Sequence, residues 1–307
     1  MSDDIASVRC ILPSVVIEQG LAQFHSLLVS CDHAGEAILD CSEATDHCPA
    51  AIASTGAIIR RWLDRGTRVS IEGAVSHGGY RAFHISPQDM KLHSMPPLYE
   101  LSQSGGQVDR VSSELAQALV SEGWTPDGAF PFVQYCLGEL LTNCRQHAGS
   151  SAFAYGDRIK DERGEEAIRI AVADCGIGIR ESFVSNESPH AHPNCDDQAA
   201  IRIALGSQVS STRRRSSHYN QSANFGLGLS MVRTFARMAR GEFCIFSGNA
   251  RVSEGSDNVL EQACFWPGTV VSVLLPLETL GDYRQRLAEA LRVNGLTSGN
   301  DTDNLFA

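Results

Sequence analysis

Apolar residues recur along the chain at two periods, and the points where one gives way to the other divide it into elements. Val15-Val-Ile followed by Leu21-Ala-Gln-Phe-His-Ser-Leu-Leu reads as a strand running into a helix, and Ala37-Ile-Leu-Asp40 as a short buried strand ending on a carboxylate. Ile52, Ile58, Ile59, Trp62 and Leu63 at helical spacing predict a helix over 49–64, stopped at Gly66. Val69 to Val75 alternates like another strand. This βαβα order predicts a small α/β domain over 1–98. A linker is expected where Pro96 and Pro97 are followed by Ser102-Gln-Ser-Gly-Gly106. Beyond it the pattern predicts helices over 108–119 and 132–147 and a strand over 167–173. A helix opened by Gly226-Leu-Gly228-Leu and stopped at Gly241, and strands over 242–248 and 268–276, follow. These elements make a second domain over 99–280, and 281–307 reads as a helix with a flexible tail.

Composition narrows the class. The 307 residues suggest two domains on a prior of ~150 each. With 43% hydrophobic and 20% charged residues, the composition is that of an ordinary globular protein. A net charge of −11 argues against a general nucleic-acid binder, which needs basic surface for phosphate contacts. The acidic start, Met1-Ser-Asp-Asp-Ile, lacks a signal peptide's basic and apolar regions, and no run approaches the ~20 apolar residues of a membrane span. The expectation is a cytoplasmic protein without a membrane partner. Its ten cysteines form no CxxC pair and read as reduced thiols.

Candidate chemistry lies in three segments of the second half. In Glu139-Leu-Leu-Thr-Asn143-Cys-Arg-Gln-His147, the residues Glu139, Asn143 and His147 recur every fourth position and share a helix face. A carboxylate and a carboxamide one turn apart suit a magnesium–phosphate site, with Glu139 able to act as general base. Asp174-Cys-Gly176-Ile-Gly178-Ile179 follows a predicted strand, and its glycines permit close ligand approach. Gly226-Leu227-Gly228-Leu229 opens a helix whose free N–H groups make a phosphate cradle. Taken singly, the three are equally an amphipathic helix, a strand-ending turn and a glycine-capped helix.

Taken in order, they resemble the N, G1 and G2 boxes of the GHKL ATPases, the superfamily of gyrase, Hsp90 and the histidine-kinase catalytic domain. The resemblance implies an α/β fold, a Bergerat-type two-layer sandwich with a mixed sheet and helices on one face. It implies ATP and Mg²⁺ as ligands, with Glu139 as base and Asn143 on the metal. Gln146 and His147 fall beside the phosphates, and Asp174 accepts from the adenine amino group. Gly176, Gly178, Ile179, Gly226, Leu227, Gly228 and Leu229 line the nucleotide, and Thr269, in a matching Gly-Thr…Pro strand, lies near the adenine. Two positions depart from the pattern: Gln146 stands where Lys or Arg is frequent, and Asn224 where glycine is frequent. Residues 180–223 correspond to the ATP lid and carry Arg213-Arg-Arg215, suited to a phosphate or an acidic partner. His190, His192 and Cys195 suggest zinc but match no standard spacing.

Residues 8–95 resemble STAS domains, the fold of anti-sigma factor antagonists. Asp46-His-Cys48-Pro stands where an antagonist carries its Asp-Ser pair, which implies a docking module rather than a phosphoacceptor. Among GHKL proteins the resemblance is nearest to anti-sigma factor serine kinases. It implies phosphorylation of a protein partner, a sigma factor or antagonist-like regulator. Two alternatives stay open: a histidine-kinase-like signalling protein, although 100–130 contains no histidine, and a nucleotide-gated binding switch. A homodimer is a further open expectation.

Overall fold

The computed structural model describes residues 7–73, 79–86, 92–94, 96–103, 107–120, 128–188, 195–206, 227–254 and 265–295. The N-terminal part contains β1 (Ser7–Ile11), β2 (Val15–Val16), α1 (Leu21–Ser30), β3 (Glu36–Asp40), β4 (Asp46–His47), α2 (Pro49–Asp64) and β5 (Arg68–Glu72). Strands β1, β3 and β5 form a three-stranded parallel sheet, while β2 pairs with β4. A small ribbon, β6 (Phe83–Ile85) and β7 (Leu92–Ser94), follows. The small α/β unit expected from the pattern is present.

The second part contains β8 (Tyr99–Leu101), α3 (Val108–Leu119), α4 (Ala129–Asn143), β9 (Ala152–Lys160) and β10 (Glu166–Asp174). Then come α5 (Gly178–Ser185), α6 (Asp197–Ala204), α7 (Gly228–Met238), β11 (Glu242–Gly248), β12 (Ala250–Glu254), β13 (Trp266–Pro276) and α8 (Tyr283–Val293). One six-stranded sheet runs in the order β12-β11-β13-β10-β9-β8. The expected sandwich is there, with the sheet antiparallel at every pairing where a mixed sheet was expected.

Alternation along the strands explains the layering. On β10, Ile168, Ile170 and Val172 pack with α3, α4, α7 and α8. The intervening Ala171 and Ala173 face the other way, into a core shared with α1 and α2. Small side chains on that far face let α2 lie close to the sheet. Gly56 completes the fit, since a Cβ there would stand 2.6 Å from the Phe153 ring. The helix is therefore buried between the large and small sheets, which accounts for its nearly unbroken run of buried residues from Pro49 to Ile59.

Polar contacts also cross this interface. Arg169, on the far face of β10, pairs with Glu18 at 3.3 Å and Glu242 at 2.8 Å, and the Ser272 hydroxyl donates to Glu18 Oε1 at 2.8 Å. The stretch read as a linker carries β8, the edge strand of the large sheet, and its Leu98 is fully buried in the shared core. Gly105 and Gly106 lie outside the described residues. Among the described residues no helix is long and apolar enough to cross a membrane, and their nine cysteines are free thiols.

Candidate nucleotide site

Three segments distant in sequence meet at one end of the large sheet. The first is α4, which passes at Cys144 into a π-helical turn over Cys144–Ala148 and ends at Gly149 in the left-handed region (φ 71°). Such turns interrupt the 3.6-residue period and recur at functional sites. The shared face predicted for Glu139, Asn143 and His147 therefore holds for the first two, while His147 follows a wider turn. Glu139 is half-buried, and desolvation pushes its carboxyl pKa up, against a hydrogen bond donated by the Tyr135 hydroxyl. Burial pushes His147 down, so the ring favours its neutral form. Arg145 and Gln146 are exposed on the turn.

The start of α7 faces these side chains. A Cβ on Gly228 would stand 2.5 Å from Glu139 Oε2 and 3.4 Å from Asn143 Nδ2, so a side chain there would displace the Glu139 carboxylate. Among the described residues no side chain caps the first turn of α7, whose N–H groups a ligand would satisfy. Asn143 Nδ2 is buried with no hydrogen-bond partner among the described residues, a cost of about 1–3 kcal/mol unless something accepts from it. A phosphate oxygen would be such an acceptor, and the carbonyl arm of the same amide would be the arm to face Mg²⁺. The donor set thus fits a magnesium-bound polyphosphate. Leu227 is buried and Leu229 packs against the core, so their side chains frame the cradle. Asn224 and Gly226 lie outside the described residues, as do Arg213, Arg214 and Arg215.

Asp174, at the end of β10, is 2% exposed. Oδ1 accepts from the Gly176 N–H at 2.9 Å, and Oδ2 accepts from the Cys144 thiol at 3.5 Å. Burial lifts its pKa to about 6, and the Gly176, Cys144 and Thr269 hydrogen bonds hold it from rising further. Thr269 stands opposite Asp174 on β13. At Gly176 any side chain would overlap the Ala148 carbonyl, which accepts from Ile177 N–H at 2.9 Å. This contact ties the second segment to the π-helical turn. Gly178 (φ 75°) starts α5, and Ile179 N–H donates to Ser247 Oγ at 2.9 Å. Ser247 in turn donates to the Gly268 carbonyl at 2.9 Å.

Pattern reading did not single out four of these residues: Tyr135, Cys144, Ser247 and Trp266. Trp266 donates its indole N–H to the Asp174 carbonyl at 2.8 Å and is fully buried. Each acts through a tertiary contact, although Tyr135, one turn before Glu139, was within reach of spacing rules.

The expected lid region contains α5 and α6, packed together beside β11 and β12. Asp196 caps α6 by accepting from Ala199 N–H at 2.7 Å, and Asp197 accepts from Asn249 N–H at 2.8 Å. Phe183, Ala200 and Cys195 form a small core there. His190 and His192 lie outside the described residues, and no metal-binding cluster occurs among the described ones.

The site thus brings together a buried carboxylate at a strand end, a glycine-started helix and the half-buried Glu139 carboxylate. No curated protein and no solved structure matches the chain. Residues 129–279 match the family model of the histidine kinase-, DNA gyrase B- and HSP90-like ATPases, from the first residue of α4 to just past β13. The chain therefore carries, over residues 129–279, an ATP-binding domain of the histidine kinase-, DNA gyrase B- and HSP90-like ATPase family.

Proposed function

We propose that the protein is an ATP·Mg²⁺-dependent regulatory serine/threonine kinase of the anti-sigma factor type, acting on a protein partner in the cytoplasm. The observation that carries this reading is the half-buried Glu139 carboxylate, its pKa raised by desolvation, set against the glycine start of α7 and beside Asn143. A site that only binds nucleotide has no need of a base there. Raised basicity suits Glu139 to take the proton from an attacking serine or threonine hydroxyl. Asn143 and the first-turn N–H groups of α7 orient the phosphates, and Asp174 selects the base through its carboxylate. Bound Mg²⁺ would neutralise charge on the phosphate oxygens.

The test is incubation with γ-labelled ATP and Mg²⁺, with and without host lysate. Acid-stable label on a protein is expected, and the band identifies the substrate. Acid-labile label would favour the histidine-kinase-like alternative. Binding with neither transfer nor free phosphate would favour the nucleotide-gated switch.

A further inference from the structure

The far side of the adenine-reading strand end is not bare. Trp266, whose indole holds the Asp174 carbonyl, lies against His25 of α1 with ring centroids 4.5 Å apart. His25 is fully buried, and its Nε2 is 3.0 Å from Ser54 Oγ of α2. One residue on, the Cys175 carbonyl accepts from Arg61 Nη1 of α2 at 3.4 Å. That guanidinium is itself fixed by Asp32, with Nε to Oδ1 at 2.9 Å and Nη2 to Oδ2 at 3.0 Å. The Asp174–Gly176 turn is thus held from the front by Cys144 and Ala148, and from behind by two helices of the N-terminal unit.

We propose that His25 and Arg61 are positioning residues of the nucleotide site, so that adenine selectivity depends on the seating of the N-terminal unit behind Asp174. The inference rests on the nucleotide reading of the site. An amino group at adenine C6 and a carbonyl at guanine C6 differ only in whether they give or take a hydrogen bond. Discrimination therefore needs the Asp174 carboxylate held in place, since a loose carboxylate can swing aside and admit the wrong base. Linkage makes the effect reciprocal: whatever moves α1 or α2 changes nucleotide affinity, and bound nucleotide resists that movement by the same free energy.

The experiment measures binding of ATP and of GTP, each with Mg²⁺, by calorimetry on the full chain, together with melting temperature. Arg61→Lys keeps a cation beside Asp32 but loses the planar fork that reaches Cys175. It is expected to weaken ATP binding about fivefold, the loss of one modest hydrogen bond. The ATP-over-GTP ratio should shrink while the melting temperature stays near wild type. His25→Ala should shrink the ratio likewise, and His25→Phe, which keeps a ring on Trp266, should restore it. Glu18→Gln disturbs the same interface away from Asp174 and should lower the melting temperature with the ratio unchanged. Wild-type ratios in both Arg61→Lys and His25→Ala would overturn the proposal while leaving the nucleotide reading intact. Absence of ATP binding by the wild-type protein would overturn both.

Discussion

Asp174 is a carboxylate buried at a strand end, with a folded pKa of about 6 against 3.8 when exposed. A group raised in the folded state contributes stability below its unfolded pKa and loses it as pH rises through the folded value. Between about pH 4 and 6 this residue alone removes about 3 kcal/mol. Asp174→Asn should abolish that slope in the nucleotide-free protein, read by denaturant titration across the range. The same ionisation is needed to accept from adenine. ATP affinity should therefore fall about tenfold per pH unit below about 6, and Asp174→Asn should bind roughly 10- to 100-fold more weakly with a flat profile. Glu139→Ala separates chemistry from binding: transfer or hydrolysis should drop at least about 100-fold while calorimetry finds ATP affinity little changed. An equal turnover in both proteins would remove Glu139 from its role. The positions carrying these predictions were legible in the sequence, because each sits at a fixed offset inside a short segment. Cys144 and Ser247 were not, because a thiol and a hydroxyl gain meaning only when a distant strand brings them a partner.

Helix α2 and strand β10 show how an element is chosen by what covers it. Ala167-Ile-Arg-Ile-Ala-Val-Ala is apolar at almost every position because both of its faces are buried. The lone Arg169 was a visible signal that the far face meets a carboxylate. Which carboxylate was not visible, as Glu18 lies about 150 residues away in sequence. Removing Glu18 leaves Arg169 with Glu242 as its remaining carboxylate and takes the acceptor from the Ser272 hydroxyl. Glu18→Ala should cost about 1–3 kcal/mol by chemical denaturation, whereas Glu18→Met with Arg169→Met should restore part of it. Additive losses in the double variant would show that the pair is not coupled. Strand β8 and helices α5 and α6 escaped the pattern for a simpler reason. Elements of three to eight residues hold too few turns of any period, and Asp196, a good helix cap, is equally common in loops.

At the scale of the molecule, the large sheet is the wall between two cores, and neither part owns it. Phe153, Phe246, Trp266 and Val270 are covered by α1 and α2. A fragment beginning at residue 99 should expose them, and is expected to aggregate or to bind a hydrophobic dye, where the full chain does neither. A monomeric, cooperatively melting fragment would show that the nucleotide domain stands alone. That two α/β parts exist was evident from the order of strands and helices. That they share a core was not, because periodicity reports that a face is buried and not what buries it.

Helix α2 ends at Asp64, while the last strand it rests on ends at Pro276. At roughly 5–20 residues per second of synthesis, a ribosome needs on the order of 10–40 s to supply the missing wall. During that interval Ile52, Ile58, Ile59 and Trp62 have no large sheet to cover them. The N-terminal unit is made first and finished last, and the newborn chain must be kept from other apolar surfaces until its own arrives.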